Sequence, residues 1–159
     1  MREEDRLYLT EEGYRRLEAE LKHLTTVERH RIAEQFRESK EHGEFGEDSE
    51  FEELKSEQAY VEGRIQDLKM ILQRATVVRE EDVPVDHVGV GSRVLLEDVD
   101  TKERKEIRIV GAAEADPSNG LVSYLAPLGE ALLDHRVGDV VEVKRPHGKA
   151  CYKVLAISK

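Results

Sequence analysis

Eight positions from Phe51 to Ala75 recur with the spacing 3-4-3-4-3-4-3: Phe51, Leu54, Gln58, Val61, Ile65, Leu68, Leu72 and Ala75. Six of the eight are large and apolar. That rhythm lays one apolar stripe along one side of a helix, a seam that must be covered by another helix. Gly63 stands inside the run, at a cost of about 1 kcal/mol against Ala, which predicts a close helix approach at that point.

A partner lies just upstream. Thr10 is placed to cap a helix running to about His42, with apolar positions at Tyr14, Leu17, Leu21 and Leu24. The pattern then shifts to Val27, Ile32 and Phe36, a local break of heptad register. Between the two runs, His42 to Ser49 contains two glycines, enough for a reversal, and Ser49 with Glu52 fits a capping box that restarts the helix. The expectation is an antiparallel hairpin. At ~1.5 Å per residue its first arm is roughly 45 Å long, which holds the turn far from the rest of the chain.

After Arg79 the period changes from helical to alternating. Val83-Pro84-Val85 and the glycines at 89 and 91 read as a linker. Strands are expected over 93–96, 107–110, 121–124, 140–143 and 152–155. Asp100-Thr101-Lys102 and Pro146-His147-Gly148-Lys149 serve as hairpin turns, and Pro127 to Leu133 forms a short helix. The fold class is α+β: a long antiparallel coiled-coil hairpin over 1–79, then a small, mostly antiparallel β domain with one short helix over 80–159. Hydrophobic and charged residues each make up 38% of the chain, which suits a thin hairpin and a small sheet better than one large core.

Net charge narrows the function. The formal charge is −10, and the Lys and Arg residues are dispersed, so the chain lacks the basic face of a free-DNA binder. Cys151 is the single cysteine, expected to be a small buried residue in a reducing compartment. The opening MREEDRLYL does not read as a signal peptide, and no apolar run approaches the ~20 residues of a membrane span. A cytoplasmic protein is expected.

The acidic residues, by contrast, are concentrated. Glu41, Glu44, Glu47, Asp48, Glu50, Glu52 and Glu53 fall within thirteen positions that contain no Lys or Arg. One account is local: acids in the first turn of a helix favour its dipole by ~0.3–1 kcal/mol each, and Glu50, Glu52 and Glu53 fit it. Glu44 and Glu47 precede the helix and do not. Crowded carboxylates suit a hard cation, and Mg2+ takes oxygen ligands from one or two carboxylates plus substrate phosphates. The spacing is not that of an EF-hand, and His42 stands alone, so neither a calcium loop nor a zinc site is indicated. Carboxylates at the end of a rod suit a metal centre inside another protein's channel, where phosphodiester cleavage needs a second Mg2+ and an activated water.

The stretch Glu41-His42-Gly43-Glu44-Phe45-Gly46-Glu47-Asp48-Ser49-Glu50-Phe51 resembles the tip of Gre-type transcript cleavage factors, usually written E-H-G-D-L-x-E-N-A-E-Y. Further matching blocks are Leu9 to Gly13, Glu62-Gly63-Arg64-Ile65, Ile109-Val110-Gly111, Glu114-Ala115-Asp116, Pro127 to Leu133 and Val137-Gly138-Asp139, in order along nearly the whole chain. The resemblance implies a coiled-coil hairpin followed by an FKBP-like domain. It implies a bacterial factor whose globular part docks on the rim of the RNA polymerase secondary channel. The hairpin would then bring Glu44 and Glu47, as catalytic and metal ligands, to a Mg2+ shared with the polymerase at the 3′ end of nascent backtracked RNA. Phe45, Asp48 and Glu50 would support the tip. The free protein would bind no metal and be monomeric. It would not itself be an enzyme.

Three departures stand out. Glu44 replaces a usual Asp and adds about 1.5 Å of reach, while Gly46 and Asp48 replace a usual Lys and Asn. The tip is more negative, which keeps a channel-plugging inhibitor open as an alternative; a coiled-coil adaptor pairing with a second chain is another. Arg37, Lys40 and Lys55 are candidate RNA contacts, with surface ion pairing as the plainer account. Lys22, Arg29 and Lys40 fall on one ridge of an uninterrupted helix. Tyr124, Leu125, Ala126, Pro127 and Leu128 align with the family's polymerase-contacting edge, although Tyr124 and Leu128 also suit a core, as do Leu132 and Leu133. Prolyl isomerase activity is not expected, because Tyr124 and Tyr152 are the only aromatics after residue 80.

Overall fold

The computed structural model describes residues 7–41 and 49–159. Strand β1, Leu7–Thr10, leads directly into helix α1, Glu11–His23. Thr10 caps that helix as its position suggests: its Oγ1 accepts the Gly13 amide hydrogen at 3.0 Å. A single π-helical turn, Leu24–Glu28, separates α1 from α2, Arg29–Glu41. Helix α3, Ser49–Arg74, is 26 residues long, about 39 Å. Strand β2, Ala75–Val78, pairs in parallel with β1, with Leu7 opposite Ala75 and Thr10 opposite Val78. The sequence pattern places Ala75 on the helical seam; in the structure it begins this strand instead.

The π turn explains the break in the first arm's pattern. Buried Leu17 and Leu24 are seven apart, but the next buried seam residue, Ile32, is eight beyond Leu24. One extra residue is absorbed by the wider turn, and Val27, which a strict repeat puts on the seam, is 49% exposed. The hydroxyls of Thr25 and Thr26 donate to the carbonyls of Leu21 (2.9 Å) and Lys22 (2.6 Å). They thereby serve carbonyls at the point where regular i to i−4 pairing is interrupted. The turn also breaks the expected ridge, because it rotates Arg29 and Lys40 by roughly 100° relative to Lys22.

The remaining elements are β3 (Arg93–Asp98), β4 (Arg104–Val110), β5 (Leu121–Ser123), α4 (Pro127–Leu132), β6 (Val140–Arg145) and β7 (Gly148–Ser158). They form a five-stranded sheet in the order β5-β4-β3-β7-β6, antiparallel except for β4 with β5. The α+β class and the FKBP-like layout of sheet and short helix are as the sequence leads one to expect. Val94, Leu96, Ile109, Val154 and Leu132 are fully buried in its core, and Tyr124, Leu128 and Leu133 pack partly buried against it. A fully buried leucine such as Leu132 contributes about 1.5–3 kcal/mol. Among the described residues, no helix is long and apolar enough to cross a membrane.

Two compact units result: Arg15–Arg74, and the segments on either side of it taken together. The stretch read as a linker is part of the second unit. Val88 is fully buried, its amide donates to the His135 carbonyl (2.9 Å), and its own carbonyl accepts from Asp134 (2.9 Å). Ser92 is likewise buried, donating to the Pro84 carbonyl at 2.8 Å. Proline and glycine here shape a packed excursion, with Gly91 at φ +98°, rather than a free tether. Cys151 is half-buried, not fully buried as its residue type suggests, because it lies on the less covered side of β7.

Candidate functional site

The arms of the hairpin are antiparallel, because contacting residues rise in number along the first arm as they fall along the second. Glu20 meets Arg64, Arg29 meets Glu62, Arg31 meets Glu57, and Phe36 meets Phe51. Two of these are bidentate. The Arg64 fork donates to both Glu20 oxygens at 2.7 and 2.8 Å, and Arg29 donates to Glu62 at 3.0 and 2.7 Å. The Arg64 hydrogen bond holds the Glu20 carboxyl below its ordinary range. Leu54, Val61, Ile65 and Leu68 are buried along α3, so the seam a coiled-coil adaptor needs for a second chain is already covered. Gly63 does not mark a close approach. It is exposed, with open space where a Cβ would stand, because it faces away from the seam.

The last described ring contact before the acidic segment is Phe36 on α2 against Phe51 on α3, edge to face, with centroids 5.6 Å apart. It fastens the two helix ends that bracket residues 42–48. Glu44, Phe45, Glu47 and Asp48 lie outside the described residues, as does the Ser49 side chain on which the capping box depends. Glu50 is exposed on the first turn of α3. An open groove beside the arms is lined by Glu38, Glu50, Glu52, Glu53 and Glu57 together with Arg31 and Tyr60, so acidic residues predominate in the groove beside the turn.

The three candidate RNA-contacting cations are exposed but not equivalent. Arg37 forms an ion pair with Glu34 one turn back, which raises its pKa. Lys55 sits 4.9 Å above the Phe51 ring and 3.8 Å from Glu52. Lys40 lies in the last turn of α2, where a cation favours the helix dipole.

The candidate docking segment divides by exposure. Tyr124, Ala126 and Leu128 turn inward against the sheet core, and Tyr124 meets the Tyr8 ring edge to face at 5.7 Å. Burial raises the Tyr124 phenol's pKa. Leu125 is 56% exposed, and Pro127, at the first turn of α4, is also exposed. The turn is set from beneath: Ser123 Oγ accepts the Leu125 amide hydrogen (3.1 Å), and the Ser123 carbonyl accepts that of Ala126 (3.0 Å). A Cβ on Gly129 would stand 2.0 Å from that carbonyl oxygen, so only glycine fits.

Two family models match the chain: one described as transcription elongation factor, N-terminal, over residues 7–77, and one as transcription elongation factor, GreA/GreB, C-term, over residues 83–159. Transcription elongation factor GreA of Acetivibrio thermocellus is 44% identical over 151 residues, 95% of each chain. The chain belongs to the GreA/GreB family of transcription elongation factors. GreA of Thermoanaerobacter pseudethanolicus is 45% identical, with 95% of this chain and 96% of that protein covered. GreA of Clostridium botulinum is 42% identical over all 159 residues. Among solved structures, the chain is similar to GreA factor homolog 1 of Thermus thermophilus at 37% identity, covering 97% of this chain and 99% of that one, with a TM-score of 0.42.

Several residues that shape this GreA/GreB-family chain escape a reading by periodicity. Glu114 is buried, and it accepts hydrogen bonds from the Thr10 amide (2.9 Å), the Thr10 hydroxyl and the Gly111 amide (3.0 Å). The cross-arm pairs of Arg64 and Arg29 likewise need the register of two helices before they can be seen. The π turn did leave a signal, the Thr25-Thr26 pair inside a helix.

Proposed function

We propose that the chain acts on RNA polymerase as an elongation factor that stimulates Mg2+-dependent cleavage of backtracked RNA by the polymerase's own nuclease. The observation that carries this is the closure of α2 on α3 through Phe36 and Phe51, which brings two helix ends to either side of the acidic segment. In this reading the arm enters the secondary channel and presents Glu44 and Glu47 to the polymerase active centre. Carboxylate oxygens are the donor type a Mg2+ ion takes. A second Mg2+ supplies Lewis acidity and an activated water for phosphodiester cleavage. The chain's own residues hold and orient: Glu44 and Glu47 as ligands, Asp48, Glu50 and Phe45 as the wall of the tip, and Arg37, Lys40 and Lys55 toward the RNA backbone.

Docking falls to the segment Tyr124–Leu128, with Leu125 and Pro127 as the outward contacts on the channel rim and Tyr124, Ala126 and Leu128 as the base they stand on. The factor works as a cytoplasmic monomer. The test is to add it to a backtracked elongation complex and follow RNA length. Wild type should shorten the RNA, and the Glu44→Ala/Glu47→Ala double variant should bind the polymerase without shortening it. Equal cleavage by that variant would remove the ligand role. Slower nucleotide addition with no shortened RNA would instead assign the protein as a channel-plugging inhibitor, the reading that the added charge of Asp48 favours.

A further inference from the structure

The second unit carries a convergence of cations that the elongation function does not use. Lys105 on β4 and Arg145 on β6 both reach Tyr152 on β7. Lys105 Nζ lies 4.7 Å from the centre of the Tyr152 ring and 3.5 Å from its hydroxyl oxygen. The Arg145 guanidinium is 5.6 Å from the ring centre and donates to the same oxygen. Tyr152 is only 3% exposed, while both cations are exposed. Among the described residues neither Lys105 nor Arg145 forms an ion pair. The carboxylate that shares their field is Asp98, whose Oδ1 already accepts the amide hydrogens of Asp100 (2.9 Å) and Thr101 (3.1 Å).

A phenol has one hydrogen to donate and an oxygen that accepts. Here the oxygen receives two cationic donors, and the described residues offer no acceptor for the phenol's own hydrogen. Asp98, opposite Tyr152 on β3, offsets part of the repulsion between these two like charges, and a further anion on the exposed side would offset the rest. A group that met both cations and the phenol hydrogen at once would be an acceptor with several oxygens. A carboxylate presents two oxygens in one plane, which a single arginine fork satisfies. Three donors from three strands suit a tetrahedral group with more acceptor positions. The chain's formal charge of −10 repels extended polyanions, so a compact ligand is favoured over a nucleic-acid strand.

We propose that Lys105, Arg145 and Tyr152 form a site for a small phosphate-type anion, inorganic phosphate or pyrophosphate, on the face of the sheet. The site is independent of the hairpin, so its fate does not decide that of the proposed cleavage function.

The test uses the full chain, labelled for amide NMR and titrated at constant ionic strength with inorganic phosphate, pyrophosphate and acetate in turn. The expected result is a saturable shift centred on Lys105, Arg145 and Tyr152 with phosphate or pyrophosphate, the tighter of the two naming the ligand. Tyr152→Phe keeps the ring and the fold and removes only the hydroxyl; binding should weaken about tenfold. Lys105→Ala and Arg145→Ala are exposed changes that leave the spectrum folded and should abolish saturation. Equal binding of acetate, a linear drift shared by all basic residues, or saturation that survives Lys105→Ala/Arg145→Ala would each overturn the proposal.

Discussion

Glu114 and Thr10, 104 positions apart, are joined by two hydrogen bonds, the carboxylate accepting one from the Thr10 amide and one from its hydroxyl. The same hydroxyl oxygen caps α1 through Gly13, and the same carboxylate accepts from Gly111. One buried side chain thus serves the first strand, the start of the first arm and the turn after β4. Glu114→Ala leaves two buried amides without acceptors and should cost roughly 2–4 kcal/mol, whereas Glu114→Gln keeps one acceptor and should cost less. Urea unfolding followed by tyrosine fluorescence measures both.

Gly111 is needed for space rather than for its backbone angle. A Cβ there would stand 1.7 Å from the Tyr8 carbonyl oxygen, part of a strand that cannot yield. Gly111→Ala should therefore destabilise by about 1–3 kcal/mol or more. Gly63→Ala meets open space and should stabilise α3 by up to about 1 kcal/mol. Opposite signs in the thermal midpoints of these two variants are the expected outcome.

The Phe36–Phe51 contact should govern the end of the hairpin more than its whole. Phe51→Ala removes an edge-to-face pair worth about 0.5–1.5 kcal/mol beyond its burial. Hydrogen exchange should speed up in 36–41 and 49–54 while Val61 to Leu68 stay protected. On the function proposed above, cleavage stimulation should fall with it. Uniform exchange along both arms would show that the pair has no such local role.

The cross-arm ion pairs give a pH dependence of defined sign. Hydrogen bonds from Arg64 and Arg29 depress the Glu20 and Glu62 pKa values respectively. Their contribution is complete above the unfolded carboxylate range, near pH 4.3, and is lost as pH falls through the lower folded values. Glu20→Gln/Glu62→Gln should melt at a lower temperature than wild type at pH 6. The gap should close as pH falls through and below the carboxylate range and should narrow in high salt, as monitored by helical circular dichroism.

The π turn predicts an asymmetry between two deletions. Removing Val27 shortens the Leu24 to Ile32 spacing from eight to seven and restores a regular helix, so α2 keeps its buried face. Removing Ala33 instead rotates Phe36 by roughly 100° off the seam. The first deletion should leave helicity and melting nearly unchanged; the second should lower both.

What the sequence made legible was whatever repeats locally. The α3 seam, the strands of the sheet, the Thr10 cap and the antiparallel pairing of α2 with α3 all follow from spacing and turn chemistry within a few residues. The pairing of β1 with β2 did not, because four-residue strands at the ends of strong helices carry little alternation of their own. The segment 83–92 read as a tether because proline and glycine mark both loops and tight packing, and the burial of Val88 is decided by residues near 135. At the candidate docking turn, the division into outward Leu125 and inward Tyr124 is not legible in the sequence, because it depends on Ser123 beneath. Glu114 looked like one more acid in an acidic chain until Thr10 was placed beside it.

The parallel pairing of β1 with β2 also bears on the order in which the chain assembles. Everything from Glu11 to Arg74 is an excursion that leaves from one strand and returns to its neighbour. Closing so long a loop directly is entropically slow, but two arms that zip along their own seam bring the strands Leu7–Thr10 and Ala75–Val78 into reach of each other first. Val61→Asn should then delay the pairing of β1 with β2 during refolding, by leaving that search to chance.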